Sequence, residues 1–293
     1  MPPRDLVLIG LVVLAWGSNF TAMKLALQEV PPFLFVGLRF AVLLPLLAVL
    51  KRPAVPWWKI VAVGALINMG QFAFLFAALA ADATAGMASL LIQMQVPLTI
   101  LMSVLIFGER LLPMQVAGLL VAMAGLGVFA LSAGGNVTLT GLGLILMGAL
   151  CWALGNLVLR RMGPVNTLAL FVWASLVPPL PMLALSMMVE TPTPFATLAA
   201  MTLPGWGAVL YVALASTALG YTLWGALLAR HPASTVTPFA LLIPVVGVAV
   251  SGLILGERPG PSDWVGGAVI LAGLAMIQIR QGRVRAMPRR DRP

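Results

Sequence analysis

The chain of 293 residues is 61% apolar and only 9% charged, against about 25% charged in an ordinary soluble domain. A soluble fold of this size would need far more charge to cover its surface, so composition excludes one and implies an integral membrane protein. The formal net charge of +9 does not point to nucleic acid, because Arg280, Arg283, Arg285, Arg289, Arg290 and Arg292 crowd the tail after the last apolar run. Such a tail is an orientation signal or a contact for anionic lipid.

A bilayer core takes about 20 apolar residues per helix. Ten such runs follow one another, at 6–27, 32–50, 58–80, 84–107, 113–131, 141–159, 166–189, 205–229, 234–255 and 262–279. The first resembles a signal peptide at its start, but it continues through Thr21 and Ala26 and reads as an uncleaved membrane helix. The runs are too long and continuous for barrel strands. Short connections carry the breakers, among them Pro31-Pro32, Pro53, Pro56, Gly134-Gly135, Gly163-Pro164, Pro192, Pro194 and Pro259. No loop is long enough to house a catalytic module. Cys151, the single cysteine, sits in an apolar run and reads as a small buried residue.

Ten spans place both termini on one side. With the termini cytoplasmic, Arg4, Lys51, Arg52, Lys59, Arg110, Arg160, Arg161, Arg230 and the tail arginines all lie inside. Outside fall Arg258 and the acids Glu29, Asp82, Glu190, Glu257 and Asp263. The positive-inside rule therefore supports the count and the orientation together.

A repeat organises the runs. Phe107-Gly108-Glu109-Arg110 returns as Leu255-Gly256-Glu257-Arg258, Gly118 as Gly266, Ala124-Gly125 as Ala272-Gly273, Ser103 as Ser251 and Ala85 as Ala233, all at one offset of 148 residues. A weaker match joins Trp16 and Asn19 to Trp152 and Asn156. The fold class expected is all-α, with ten transmembrane helices as two five-helix repeats, 1–135 and 136–293, around a central cavity. Five is odd, so the second repeat enters the membrane inverted, an architecture typical of secondary transporters.

These residues carry a resemblance. Ala15-Trp16-Gly17-Ser18-Asn19-Phe20, then Lys24, Pro32 and Arg39-Phe40, with the two Gly-Glu-Arg loops, resembles the EamA family of the drug/metabolite transporter superfamily. The likeness covers nearly the whole chain. It is specific for the family but not for a substrate. Within the family, length and an aromatic-rich interior are most similar to YddG-type amino-acid exporters. The resemblance implies a basket of ten helices, lined by the first four of each half and buttressed by helices five and ten. Outward transport is implied by the resemblance alone.

Polar residues inside a span are costly and often functional. Trp16, Asn19, Phe20 and Met23 share one face of the first helix, and Asn68, Gln71, Phe72 and Leu75 repeat the spacing on the third. The fourth offers Gln93, Gln95 and Thr99, the sixth Trp152 and Asn156, the eighth Ser216, Thr217, Tyr221 and Trp224. Of these, Trp16, Asn19, Met23, Asn68, Gln71, Phe72, Gln93, Trp152, Asn156, Tyr221 and Trp224 are the expected substrate-binding set. Amides bind both ammonium and carboxylate, while rings and Met accept an apolar side chain, so the set suits amino acids. The competing role for each amide is interhelical glue. Pro97 and Pro244 are hinge candidates or static kinks. Gly118 and Ala122, with Ala268 and Ala272, offer close-packing faces on helices five and ten. Trp57, Trp58, Trp206 and Trp264 suit the interfacial belt.

Lys24 and Arg39, the two basic residues within spans, read as structural anchors, paired with outer acids such as Glu29 or Asp82. No acid lies deep in a span, which argues against cationic drugs, and no basic cluster suits sugar phosphates. His231, the only histidine, reads as a solvated loop residue without a ligand set. The expectation is an inner-membrane exporter of amino acids or similar metabolites. It takes a small molecule as partner and uses no metal, cofactor or nucleic acid. The alternatives are a broad drug or metabolite exporter and a noncatalytic scaffold.

Overall fold

The computed structural model describes residues 1–108, 111–131, 137–163, 165–231 and 236–285, and all regular structure among them is helical. The Glu109-Arg110 pair, Gly134-Gly135 with the expected 135/136 boundary, Pro164, Ala233, Arg289, Arg290 and Arg292 lie outside the described residues. Among the described residues, five helices are long and apolar enough to cross a membrane: α1 (Pro3–Ala26), α3 (Trp57–Ala81), α4 (Ala85–Phe107), α6 (Leu139–Arg160) and α8 (Leu203–Leu227). A sixth candidate, α7, is a pair (Thr167–Ala174 and Pro179–Val189) bent by 41°. The other apolar helices are α2 (Pro32–Ala48), α5 (Pro113–Val128), α9 (Phe239–Leu255) and α10 (Pro261–Ile277). The last continues helically to Arg285, beyond the expected end at 279 and into the basic tail.

Local chemistry sets the helix ends. Thr84, Thr138, Asn166 and Thr202 are N-caps whose side chains accept from the amides of Met87, Gly141, Ala169 and Gly205. Pro113 and Pro261 open their helices, where the missing N–H costs nothing. Gly108 and Gly256 end α4 and α9 at φ 65° and 69°, a left-handed conformation that favours glycine. The run 166–189 does not form one straight helix, because Pro178 and Pro179 remove two amide donors at the bend.

Several helices depart from α geometry inside their spans. Residues Gly64–Gln71 of α3 and Tyr211–Leu219 of α8 are π-helical. Residues Ile92–Met94 of α4 and Thr237–Leu241 at the start of α9 are 3₁₀. Pro97 and Pro244 each follow their 3₁₀ stretch by a few residues.

Carboxylates tie distant segments together. Glu190 accepts from the amides of Phe33 and Leu34 at 2.8 and 3.2 Å, at the start of α2. Glu257 accepts from Ala85 and Gly86 at 2.7 and 3.0 Å, at the start of α4. Glu29 accepts from the amide and hydroxyl of Thr202, at 2.7 and 2.6 Å, ahead of α8. A negative charge at a helix N-terminus meets orphan N–H groups and the positive dipole end. Elsewhere Asp5 bonds Arg230 at 2.9 Å and His231 Nε2 at 2.6 Å, so His231 is not the solvated loop residue expected.

The densest helix pair is α5 on α10. A Cβ on Gly118 would meet the Gly273 carbonyl at 2.7 Å, and one on Gly125 the Gly266 carbonyl at 2.9 Å. The face α10 presents is therefore Gly266, Ile270, Gly273 and Ile277 rather than Ala268 and Ala272, which are exposed. Both sets have helical spacing, and the glycines win because only they admit the backbone of α5 so closely.

Candidate functional site

A cavity of about 100 Å³ lies where α1, α2, α3, α4, α6, α8 and α9 converge. By water's share of ~10–15 Å³ of such volume, it has room for several waters or one small solute. The irregular stretches furnish much of its polar wall. Asn68 and Gln71 come from the π-helical part of α3, Ser216 and Thr217 from that of α8, and Gln93 from the 3₁₀ turn of α4. π-helical turns widen a helix, misalign its carbonyls and recur at functional sites.

The aromatic wall is built on Trp16. Its indole Nε1 donates to the Ser216 carbonyl at 2.8 Å, in the π-helical stretch. Its ring meets Tyr221 edge-on at 5.7 Å and Trp224 at 5.3 Å. Any Cβ at Gly220 would collide with Trp16 Nε1, so that glycine makes the indole's place. Tyr221 lies flat against Phe171, centroids 4.2 Å apart and planes 7° apart. Trp152 and Phe72 complete the rings facing the cavity, with Phe20 and Phe40.

The structure thus brings Trp16, Asn19, Asn68, Gln71, Phe72, Gln93, Trp152 and Tyr221 of the expected set to one chamber. Met23, Asn156 and Trp224 are not in its lining. Met23 is fully buried, its sulfur accepting from Asn19 Nδ2 at 3.2 Å. Asn156 binds Gln95 Oε1 at 2.9 Å and Thr99 Oγ1 at 3.2 Å, gluing α6 to α4. Trp224 lies one turn beyond Tyr221, and its ring packs on Trp16 without lining the chamber. Asn68 is partly glue as well, donating to the Phe171 carbonyl at 3.2 Å.

The two basic residues within spans part ways. Lys24 Nζ donates to the carbonyls of Leu79 and Ala83 at 2.5 and 2.9 Å, capping the end of α3. It is an anchor, but to carbonyls rather than to an acid. Arg39 is not an anchor to Glu29 or Asp82. It is 2% exposed and lines the cavity. Its Nη2 donates to Thr217 Oγ1 at 2.8 Å, and that hydroxyl donates to the Val212 carbonyl at 2.9 Å. Its guanidinium carbon sits 3.9 Å from the Phe72 ring centroid and 4.8 Å from that of Phe40. Nε and Nη1 have no hydrogen-bond partner, and no carboxylate among the described residues pairs with them. Sequence reasoning passed over Arg39, Phe40, Ile92 and Ile243 as lining; for Arg39 the available signal was a charge too deep in α2 to reach water.

A second, larger cavity of about 770 Å³ lies at the flank between α4, α9 and α10. Met87, Leu90, Val248 and Leu271 dominate it, and its Glu257 is already spent on the start of α4.

Apolar helices packed around a buried chamber of amides, rings and one guanidinium define a membrane protein that handles small solutes. The chain belongs to the EamA-like transporter family, whose model matches it twice, over residues 5–131 and 139–279. It is a transporter and not an enzyme. Probable amino-acid metabolite efflux pumps of Salmonella typhimurium and Escherichia coli K12 are each 36% identical to it over 282 residues, covering 94% of both chains. A probable terminal-alkyne amino-acid exporter of Streptantibioticus cattleyicolor is 28% identical over 283 residues, covering 92% of each. A protein of known crystal structure superposes with a TM-score of 0.63 at 20% identity, covering 98% of this chain and 100% of its own; that likeness is one of fold.

Proposed function

We propose that the protein exports amino acids, with aromatic and other apolar ones favoured, across the inner membrane by alternating access. Both termini are cytoplasmic, and two five-helix units, 1–135 and 136–293, face opposite ways across the bilayer. The observation that carries the reading is the central chamber. Its wall combines amides with aromatic rings and a single guanidinium, and its lining holds no carboxylate to attract a cationic drug. The names of the relatives point the same way.

The two-unit reading is supported by structure that recurs near the sequence offset of 148 residues. The two π-helical stretches pair, Gly64–Gln71 with Tyr211–Leu219, as do the 3₁₀ turns Ile92–Met94 and Thr237–Leu241 and the left-handed glycines Gly108 and Gly256, whereas the 3₁₀ stretch Leu44–Ala48 and the left-handed Gly163 have no counterpart at that offset. The double match of the family model agrees. The topology is supported by contacts that join only ends assigned to one side. Glu29 meets Thr202, Glu190 meets Phe33, and Glu257 meets Ala85 outside, while Asp5 meets Arg230 inside. The hinge role of Pro97 and Pro244 is part of the proposal, each adjoining a 3₁₀ turn that weakens its helix.

The test is flux of labelled amino acids through proteoliposomes holding the purified protein, competed by unlabelled amino acids and by cationic drugs. Saturable flux competed by tryptophan, phenylalanine, methionine or threonine is expected. Trp16→Ala and Trp152→Ala should each lower it while leaving insertion intact. Drug movement without amino-acid flux would replace this reading with that of a broad exporter.

A further inference from the structure

Buried polar atoms without partners are rare, and each asks for an explanation. Three of the residues that carry them here face the same chamber. Arg39 has idle donors at Nε and Nη1, while Asn19 Oδ1 and Gln71 Oε1 are idle acceptors. Thr21, Asp82 and Ser186 also have an unpartnered oxygen, but none of them lines the chamber. A guanidinium keeps its charge in almost any surroundings. Leaving one buried without a counter-charge is costly, and the rings of Phe40 and Phe72 and the Thr217 hydroxyl do not neutralise it. The idle atoms set the chemistry that would satisfy them: a group that accepts hydrogen bonds and is anionic beside Arg39, and one that donates them beside Asn19 and Gln71.

We infer that the chamber recognises the zwitterionic head of an α-amino acid, its carboxylate on the idle donors of Arg39 and its ammonium on the amide oxygens of Asn19 and Gln71. The inference rests on the amino-acid reading of this cavity and gives it a mechanism of selection. The carboxylate supplies the missing counter-charge through charge-assisted hydrogen bonds. The ammonium is met by neutral oxygens and ring faces rather than by an acid, so a cation alone gains nothing against Arg39 and is repelled by it. The side chain of the solute is left to Trp16, Trp152 and Phe72, which fix no polar atom of it. Selection by the head group and tolerance of the side chain follow from the same wall.

The experiment measures binding by isothermal calorimetry to the full chain in nanodiscs. Probes are L-phenylalanine, L-methionine and L-threonine, each beside its amino alcohol, which lacks the carboxylate, and its desamino acid, which lacks the ammonium, with cationic drugs such as the ethidium cation as a separate class. The wild-type protein should bind at least one amino acid about tenfold or more tightly than either partial analogue. Arg39→Gln should reduce the preference over the amino alcohol to within about threefold, with Arg39→Lys intermediate because it keeps the charge and loses the fork. An amino alcohol that binds the wild type as tightly as its amino acid overturns the Arg39 assignment without any variant having to fold. So does a preference that survives in Arg39→Gln. A desamino acid that binds equally well overturns the roles of Asn19 and Gln71. Binding of drugs but of none of the amino acids removes the amino-acid reading itself, and the inference with it.

Discussion

Glu29, Glu190 and Glu257 on one hand, and Arg39 on the other, are charges held against helices remote in sequence. Each of the three carboxylates has both oxygens engaged, on amides at helix starts or on the Thr202 hydroxyl. Arg39 has one hydrogen bond and two idle nitrogens. The difference separates scaffold from site. A charge whose partners are all protein groups fixes geometry, whereas one with donors that no protein group meets is, on the reading proposed above, the charge that meets the solute.

The strongest way to break this comparison is to remove the idle charge. Arg39→Met should lower amino-acid flux about tenfold or more. It should also raise the melting temperature in nanodiscs, because an uncompensated buried charge is exchanged for an apolar side chain. A fall in both would make Arg39 one more structural charge. The engaged charges should behave in the opposite way. Glu257→Ala leaves the first amides of α4 unmet and should cost about 1–2 kcal/mol in thermal unfolding, as loss of a cap does, with substrate affinity little changed.

Glu29 sharpens the same point through pH. The Thr202 hydroxyl and amide hold its carboxyl below the usual value of 4.5. A depressed folded value means that its contribution is complete above the ordinary carboxylate range and fades as pH falls through the lowered value. Unfolding followed from pH 7 downward should therefore show this contribution intact above the usual value of 4.5, declining as pH falls below it and gone once pH passes the lowered value, and Glu29→Gln should remove that acid step. The smallest effect is expected at the periphery. Trp58 is 58% exposed at the start of α3, and Trp58→Ala should leave flux within about twofold, since a belt position shapes insertion rather than binding.

Much of this fold was legible because membrane helices announce themselves by length and apolarity. The shared chamber of Trp16, Asn19, Gln71 and Tyr221 was legible from polar and aromatic residues at helical spacing near the middle of apolar runs. What failed to show was anything decided by a neighbour remote in sequence. Lys24 and Arg39 look alike as lone charges in spans, and only the packing of α1 on α3 and of α2 on α8 gives one a pair of carbonyls and leaves the other unpaired. Asn156 and Gln71 are equivalent as amides, yet Gln95 and Thr99 happen to satisfy the first. The π-helical stretches carry no signature at all, since 64–71 and 211–219 read as ordinary apolar helix.

Those two stretches have a mechanical meaning. In a π-turn the hydrogen bond spans one residue more than in an α-turn, so the helix stores a spare residue there. Moving that spare residue along the helix, or absorbing it, rotates whatever is displaced by about 100°, the angle between successive residues, with no amide left unbonded in the lipid. For α3 such a step would swing Asn68 and Gln71 off the chamber wall, and for α8 Ser216 and Thr217. In each helix such a step would turn part of the chamber wall while the helix itself stayed whole.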